Sequence, residues 1–306
     1  MNRAINRTEI EQLGRLDLIA KQIVQGFITG LHKSPFHGFS VEFAEHRLYN
    51  PGEDTKHVDW RLYARSDKLF TKQYEEETNL RCRFLIDTSR SMYYPEATKE
   101  RFSKLEFACY AVAAFSEMLK HQRDAFGMSY FSDQVYYHSE LKSTGSHQHF
   151  LLGQLEKLLN DTDLRPTNLV GALHEIAEQA NRRSLVIVFS DFIQLEMKAD
   201  PLFDALQHLR HNRHEVILFN TLEVATEIEL GFGNQPTEFI DLESQQRLKI
   251  NPSQVKKAYQ EMMGQWQSEL QTRCGELGID YHLADVREGF YKVLLSYMLK
   301  RQKMIR

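Results

Sequence analysis

Three polar side chains follow the first strongly apolar run of the chain and alternate along it. The β-rich run 82–86 leads into Asp87, which begins the spacing Asp87-x-Ser89-x-Ser91. In a loop, alternate side chains can turn toward one point, so a carboxylate and two hydroxyls can share one hard cation. Neutral and anionic oxygen donors of this kind suit Mg²⁺ or Mn²⁺. Taken alone, the spacing also fits a strand-to-helix turn in which Ser and Asp cap the helix.

Two further oxygen donors stand where neighbouring connections of a sheet begin. Thr167 precedes a predicted helix, and Asp191 follows an apolar run at 185–189. Because the carboxyl ends of parallel strands meet at one edge of an open α/β sheet, we expect these side chains to approach that edge. The predicted ligands of one Mg²⁺ or Mn²⁺ ion are Asp87, Ser89, Ser91, Thr167 and Asp191.

The elements that must position these residues begin at Arg81. From there, short β-rich runs alternate with helical ones, which predicts a Rossmann-like α/β domain over 81–306. Its central sheet should be mostly parallel with helices on both faces, and the hairpin at 128–138 should add one antiparallel edge strand. Strands are predicted at 82–86, 128–131, 135–138, 185–189, 216–219 and 279–283. Helices are predicted at 104–120, 149–160, 169–181, 253–277 and 290–303, with an inserted hairpin near 233–252.

The first 80 residues have a different pattern. Thr8 and Glu11 form a capping box, and apolar residues then recur at spacings of three and four up to Leu31, which predicts an amphipathic helix. Beyond it, short apolar pieces alternate with turn residues. We therefore predict a small α+β region, a helix followed by extended segments, over 1–80.

Charge, cysteine content and hydropathy exclude several classes of protein. The 306 residues carry 38 basic and 42 acidic side chains, so there is no global positive field to hold nucleic acid or an anionic membrane. The three cysteines are odd in number and far apart, as expected in a reducing compartment. No run approaches 18 apolar residues, and Met1–Arg7 is polar. We expect a cytoplasmic protein with no nucleic-acid partner and no membrane insertion.

The predicted ligands, in this order and at these strand ends, resemble the metal-ion-dependent adhesion site of a von Willebrand factor A-like domain. The resemblance implies that Ser89, Ser91 and Thr167 ligate the ion directly and that Asp87 and Asp191 act mainly through water. It also implies a protein partner that donates an acidic residue to the ion. The sequence departs from this family at two positions that often hold glycine, where it has Pro166 and Phe192.

A second set of residues lies upstream of the predicted sheet. It comprises Glu42, Arg47, Tyr49-Asn50-Pro51-Gly52-Glu53-Asp54, His57-Val58-Asp59-Trp60 and Ala64-Arg65. Followed by Asp87-Thr88-Ser89-Arg90-Ser91-Met92, it resembles the bacterial domain-of-unknown-function family fifty-eight. That resemblance implies an N-terminal module fused to a von Willebrand A-like domain and a MoxR-type AAA+ ATPase as partner.

Motifs of common enzymes are missing from the sequence. There is no G-x-x-x-x-G-K-[ST] or G-x-G-x-x-G loop, and no G-x-S-x-G or H-E-x-x-H motif. Ser89 stands where an aspartyl-phosphate phosphatase would carry its second aspartate. We therefore expect no enzyme but a metal-dependent protein-binding adaptor that cooperates with the ATPase in the assembly, maturation or regulation of a protein complex. The alternative is a metal-dependent hydrolase of phosphate esters with Asp87 as nucleophile or ligand.

Overall fold

The computed structural model describes residues 15–32, 46–48, 70–72, 80–98, 101–161, 168–179, 183–193, 199–242 and 245–305. Several predicted features lie outside these residues. They are the Thr8–Glu11 capping box, Pro166, Thr167 and all of the upstream set except Arg47. The chain divides into two compact units, one containing the residues up to Phe27 together with Leu80–Arg306, the other Ile28–Asn79.

The described residues form ten strands and eight α-helices. The strands are β1 His46–Leu48, β2 Phe70–Lys72, β3 Arg81–Asp87, β4 Ala125–Phe131, β5 Val135–His138, β6 Leu185–Ser190, β7 Glu215–Leu222, β8 Thr237–Ile240, β9 Arg247–Ile250 and β10 Asp280–Asp285. The helices are α1 Leu16–His32, α2 Lys104–His121, α3 Gly145–Leu159, α4 Leu169–Gln179, α5 Ala199–His211, α6 Val224–Glu227, α7 Pro252–Glu276 and α8 Tyr291–Ile305.

A six-stranded sheet forms the centre of the larger unit. Its strand order is β10-β7-β6-β3-β4-β5, and every neighbouring pair is parallel except β4 and β5. The crossover connections place α2 between β3 and β4 in the chain and α5 between β6 and β7. This mostly parallel sheet with one antiparallel edge strand confirms the predicted von Willebrand A-type architecture.

Helices cover both faces of the sheet, as the continuous apolar strands require. All six residues of β6 are buried, and successive side chains point to opposite faces. On one face, Val186 and Val188 pack with Leu173 of α4 and Leu206 of α5. On the other face, the ring of Phe115 in α2 lies against the aromatic rings of β3, β6, β7 and α8. The site residues at the strand ends therefore stand on a rigid core.

The structure corrects the start of one predicted helix and contains two other predicted features. Helix α3 begins at Gly145 and not at residue 149, because Thr144 acts as its N-cap and its hydroxyl accepts a hydrogen bond from His147 N at 3.3 Å. The inserted hairpin is present as β8 and β9, which pair antiparallel with Phe239 opposite Leu248. In α1, the predicted apolar stripe is buried along Leu16, Ile19, Ala20, Ile23, Val24 and Phe27.

In the smaller unit, the described residues form one antiparallel pair of strands. His46 of β1 lies opposite Lys72 of β2, and Arg47 lies opposite Thr71. These two short strands are the extended segments of the N-terminal region that the structure describes.

Candidate functional site

The loop after β3 brings the first three predicted ligands together. Ser89 N donates a hydrogen bond to Asp87 Oδ1 at 2.9 Å, and the hydroxyl oxygens of Ser89 and Ser91 lie 3.1 Å apart. Asp87 and Ser89 are buried, with 1% and 0% of their surfaces exposed, whereas Ser91 is partly exposed. The alternating spacing therefore does turn one carboxylate and two hydroxyls to one point, with Ser91 on the side that solvent reaches.

Asp87 is also tied to the neighbouring strand. The Ser190 hydroxyl, at the end of β6, donates to Asp87 Oδ2 at 2.6 Å, and Ser190 Oγ accepts from Phe192 N at 3.3 Å. Ser190 thus joins the carboxyl ends of β3 and β6. Ser190 was not among the predicted ligands, and its one signal in the sequence is its position at the end of a buried strand.

Asp191 points to a buried ammonium group. Lys104 Nζ lies 2.9 Å from Asp191 Oδ2 and 2.5 Å from Glu227 Oε1, and the Lys104 side chain is 1% exposed. The other Asp191 oxygen, Oδ1, accepts a hydrogen bond from Ile193 N at 3.4 Å. One predicted ligand, Asp191, is therefore already ion-paired with a lysine that the sequence pattern did not indicate.

The signal for Lys104 in the sequence was its position. Ser103 caps α2 and forms a capping box with Glu106, so Lys104 is the first residue of the helix. A cation in the first turn is unfavourable beside the positive end of the helix dipole. A lysine there, on an otherwise apolar helix, needs carboxylates supplied by other elements.

Phe192 adopts a backbone conformation that favours glycine. Its φ is +49°, in the left-handed region, and its side chain is 1% exposed. The Phe192 carbonyl accepts a hydrogen bond from Trp266 Nε1 at 3.1 Å. Phe192 therefore keeps the backbone conformation that a glycine at this position would adopt easily, and packing in the core holds the strained residue in place.

The third predicted loop is described only from Asn168 onward. Asn168 N donates to Ser132 O at 2.6 Å, in the turn between β4 and β5. The preceding residue of that turn, Phe131, accepts from both Thr88 N and Thr88 Oγ1 at 2.8 Å. Asn168 thus lies at the same edge of the sheet as the loop after β3, while Thr167 lies outside the described residues.

Burial and charge change the acidity of the site. Burial and, after it, the nearby Asp191 carboxylate together raise the pKa of Asp87 to about 7, against the hydrogen bonds from Ser190 and Ser89. Burial lowers the pKa of Lys104, but the charges of Asp191 and Glu227 outweigh it and leave that pKa above its usual value. Burial also raises the pKa of Glu227, with Lys104 opposing the shift.

The donors at this edge fit a hard divalent cation. The two serine hydroxyls and Asp87 supply oxygen only, and a buried carboxylate with a raised pKa gains most from a nearby positive charge. The described residues contain no group of three or more His, Cys, Asp or Glu placed to hold a metal ion. Cys82, Cys109 and Cys274 are buried free thiols.

Among the described residues, no helix combines the length and the apolar character needed to cross a membrane.

Comparison with known proteins identifies relatives of this chain. The family model described as "Protein of unknown function DUF58" matches residues 45–269. An uncharacterized protein of Mycobacterium tuberculosis (strain ATCC 25618 / H37Rv) is 25% identical over 181 residues, which are 59% of this chain and 56% of the relative. The chain thus spans little more than half the length of the curated relatives it matches.

Solved structures with a similar fold include BatB, a conserved hypothetical protein from Bacteroides thetaiotaomicron. It is 15% identical, with a TM-score of 0.48, over 74% of this chain and 98% of BatB. The von Willebrand A domain of SpRpn10 is 14% identical, with a TM-score of 0.31, over 46% of this chain and 75% of that domain.

Proposed function

The chain belongs to the DUF58 family of proteins of unknown function, and from that premise we propose that it is a metal-dependent protein-binding adaptor. Family and sheet architecture together point to a role in protein interaction. The finer proposal is that the adaptor binds Mg²⁺ or Mn²⁺ at the edge formed by β3 and β6 and cooperates with a MoxR-type AAA+ ATPase.

One observation carries this proposal. Asp87, Ser89 and Ser91 converge after β3, and Ser190 Oγ, 2.6 Å from Asp87 Oδ2, links them to the strand that ends at Asp191. Three oxygen-bearing side chains of one loop thereby meet a fourth, 103 positions away in the chain, at the edge where open α/β sheets bind ligands. A mere helix cap needs only one of them.

The predicted ligands would have different roles in such a site. Ser89, Ser91 and Thr167 would hold the ion directly, and Asp87 and Asp191 would act through water. A bound divalent ion supplies an electrostatic bridge to an acidic side chain of the partner protein. Ser91 is partly exposed, whereas Asp87 is buried in poorly solvated surroundings that strengthen charge interactions there.

We propose no catalytic activity for this site. A hydrolase needs a general acid or base within reach of the reacting group. Ser89 stands two residues after Asp87, and Lys104 is buried between two carboxylates. An adaptor with this charge balance would work in the cytoplasm, with neither nucleic acid nor membrane insertion as part of its role.

The test replaces the two serines that the proposal makes direct ligands. We expect Ser89→Ala with Ser91→Ala to weaken Mg²⁺ binding about tenfold or more in isothermal titration, because two donors of a hard ion are lost. Ser146→Ala is the matched control, since Ser146 is exposed on α3. An unchanged Mg²⁺ affinity in the double variant contradicts metal binding at this edge.

The partner is tested separately with the 306-residue chain. We expect a purified MoxR-type AAA+ ATPase from the same organism to be captured in Mg²⁺, and capture to be lost in chelator and in the double serine variant. Capture that survives both changes contradicts metal dependence. No capture in any nucleotide state contradicts the ATPase as partner.

A further inference from the structure

Among the described residues, Lys104 is the one fully buried cation that contacts a predicted ligand of the proposed metal site. Its ammonium group contacts two carboxylates from different connections of the sheet, Asp191 after β6 at 2.9 Å and Glu227 after β7 at 2.5 Å. Lys104 itself begins α2, which follows β3. One side chain therefore joins the connections after three neighbouring strands.

The surroundings of the ammonium group hold it in place. Lys104 N donates to Tyr94 O at 3.0 Å, and Nζ lies 5.9 Å from the centre of the Tyr94 ring. Glu227 is fixed on its other side, because its Oε2 accepts from Glu223 N at 2.7 Å. Tyr94 OH donates to Thr226 Oγ1 at 2.7 Å, so the same two segments are joined twice.

The charge count at this edge explains why a lysine is there. Asp87 and Asp191 are buried and the Glu227 side chain is only 15% exposed, and ionised carboxylates in a poorly solvated place repel one another. A buried carboxylate left unpaired is strongly unfavourable. Without a counter-ion, Asp191 would need the divalent cation merely to keep the fold intact.

We propose that Lys104 is a resident cation of this edge: it balances Asp191 permanently, orients it through Glu227, and leaves Asp87, Ser89 and Ser91 as the groups that respond to a divalent ion. This inference rests on the proposed function, since it concerns the same site. It makes Lys104 a positioning residue and a determinant of ion affinity. The protein stays folded without the divalent ion, and the ion is free to exchange.

Replacing Lys104 should make the protein depend on the divalent ion. In Lys104→Met the charge of Asp191 has no internal partner, so an added divalent cation takes over the balancing role. We expect the melting temperature in chelator to fall and the rise on adding Mg²⁺ to exceed that of wild type, with Mg²⁺ binding about tenfold tighter. Lys120→Met is the matched control, because Lys120 lies on the same helix and makes only a 3.7 Å contact with Glu117.

A second variant protects the test against loss of folding. Lys104→Met with Glu227→Gln removes one positive and one negative charge. No unpaired Glu227 carboxylate then destabilises the fold, but Asp191 still has no cation beside it. We expect the same enlarged response to Mg²⁺. A purely structural salt bridge predicts instead that both variants lose stability equally in chelator and in Mg²⁺.

Thermal melts and titration with Mg²⁺ alone separate the two hypotheses. If wild type responds to Mg²⁺ and the Lys104 variants respond no more strongly, the resident cation is refuted and the metal-dependent adaptor stands. If only the Lys104 variants respond, the resident cation is supported and metal dependence of the natural protein is refuted. No response in any variant overturns both.

Discussion

Asp87→Asn should change how the stability of the protein depends on pH. In chelator, the folded protein keeps a proton on Asp87 up to about pH 7, because burial and the Asp191 carboxylate raise its pKa from a reference value of 3.8. The unfolded chain loses that proton near the reference value. Between the two values the folded state binds more protons, so stability falls as pH rises. Asparagine is neutral throughout and lacks this loss.

The size of the effect follows from the shift. A difference of about three pH units corresponds to about 4 kcal/mol, at roughly 1.4 kcal/mol for each unit. For a domain of this size, 1 kcal/mol corresponds to about 2–4 °C in melting temperature. The melting temperature of Asp87→Asn should therefore rise by roughly 8–16 °C relative to wild type between about pH 4 and about pH 8.

Circular dichroism melts in chelator, at intervals across this pH range, measure the effect. Comparison with wild type at each pH cancels the titration of all other groups. Asp133→Asn is the control, since it removes the same charge at an exposed position in the β4–β5 turn. Parallel curves for Asp87→Asn and wild type across the whole range would refute the argument that Asp87 is buried, poorly solvated and close to another carboxylate.

Two further predictions concern the backbone around the sheet. Phe192→Gly and Phe192→Ala both lose a buried ring, at about 3–5 kcal/mol, but only glycine relieves the strained φ, so chemical denaturation should find the glycine variant more stable by about 1 kcal/mol. An alanine variant that is as stable as the glycine variant, or more stable, would contradict this. Gly127→Ala should destabilise the protein and weaken β4–β5 pairing in hydrogen exchange, because its Cβ would lie 2.5 Å from Glu140 O. Gly153→Ala, on α3 with nothing within 4 Å, should instead raise the melting temperature slightly, and equal effects of the two would refute the steric reasoning.

Much of the fold could be predicted because its signals are local. The buried run of β6 and the hairpin of β4 and β5 can be read within a few residues, since side-chain periodicity belongs to each strand. The stripe on α1 is of the same kind. The start of α3 was missed, because the N-cap Thr144 stands outside the apolar pattern on which the prediction relied.

The convergence of Asp87, Ser89 and Ser91 could be predicted for the same reason, since the three residues lie within five positions of one another. Asp191 could be placed at this edge because a parallel sheet brings its carboxyl ends together. What those residues bind is still a prediction.

The partner of Asp191 could be found only in the tertiary structure. Lys104 lies 87 positions from Asp191 and 123 from Glu227, and no local pattern relates residues so far apart. The strand order β10-β7-β6-β3-β4-β5 brings the three connections together. The sequence by itself determined which side chains could bind a cation, through their types and local spacing. Only the packing of the sheet and α2 decided that a buried ammonium group already balances one of them, because charge balance in a protein interior depends on distances between atoms and not on separation along the chain.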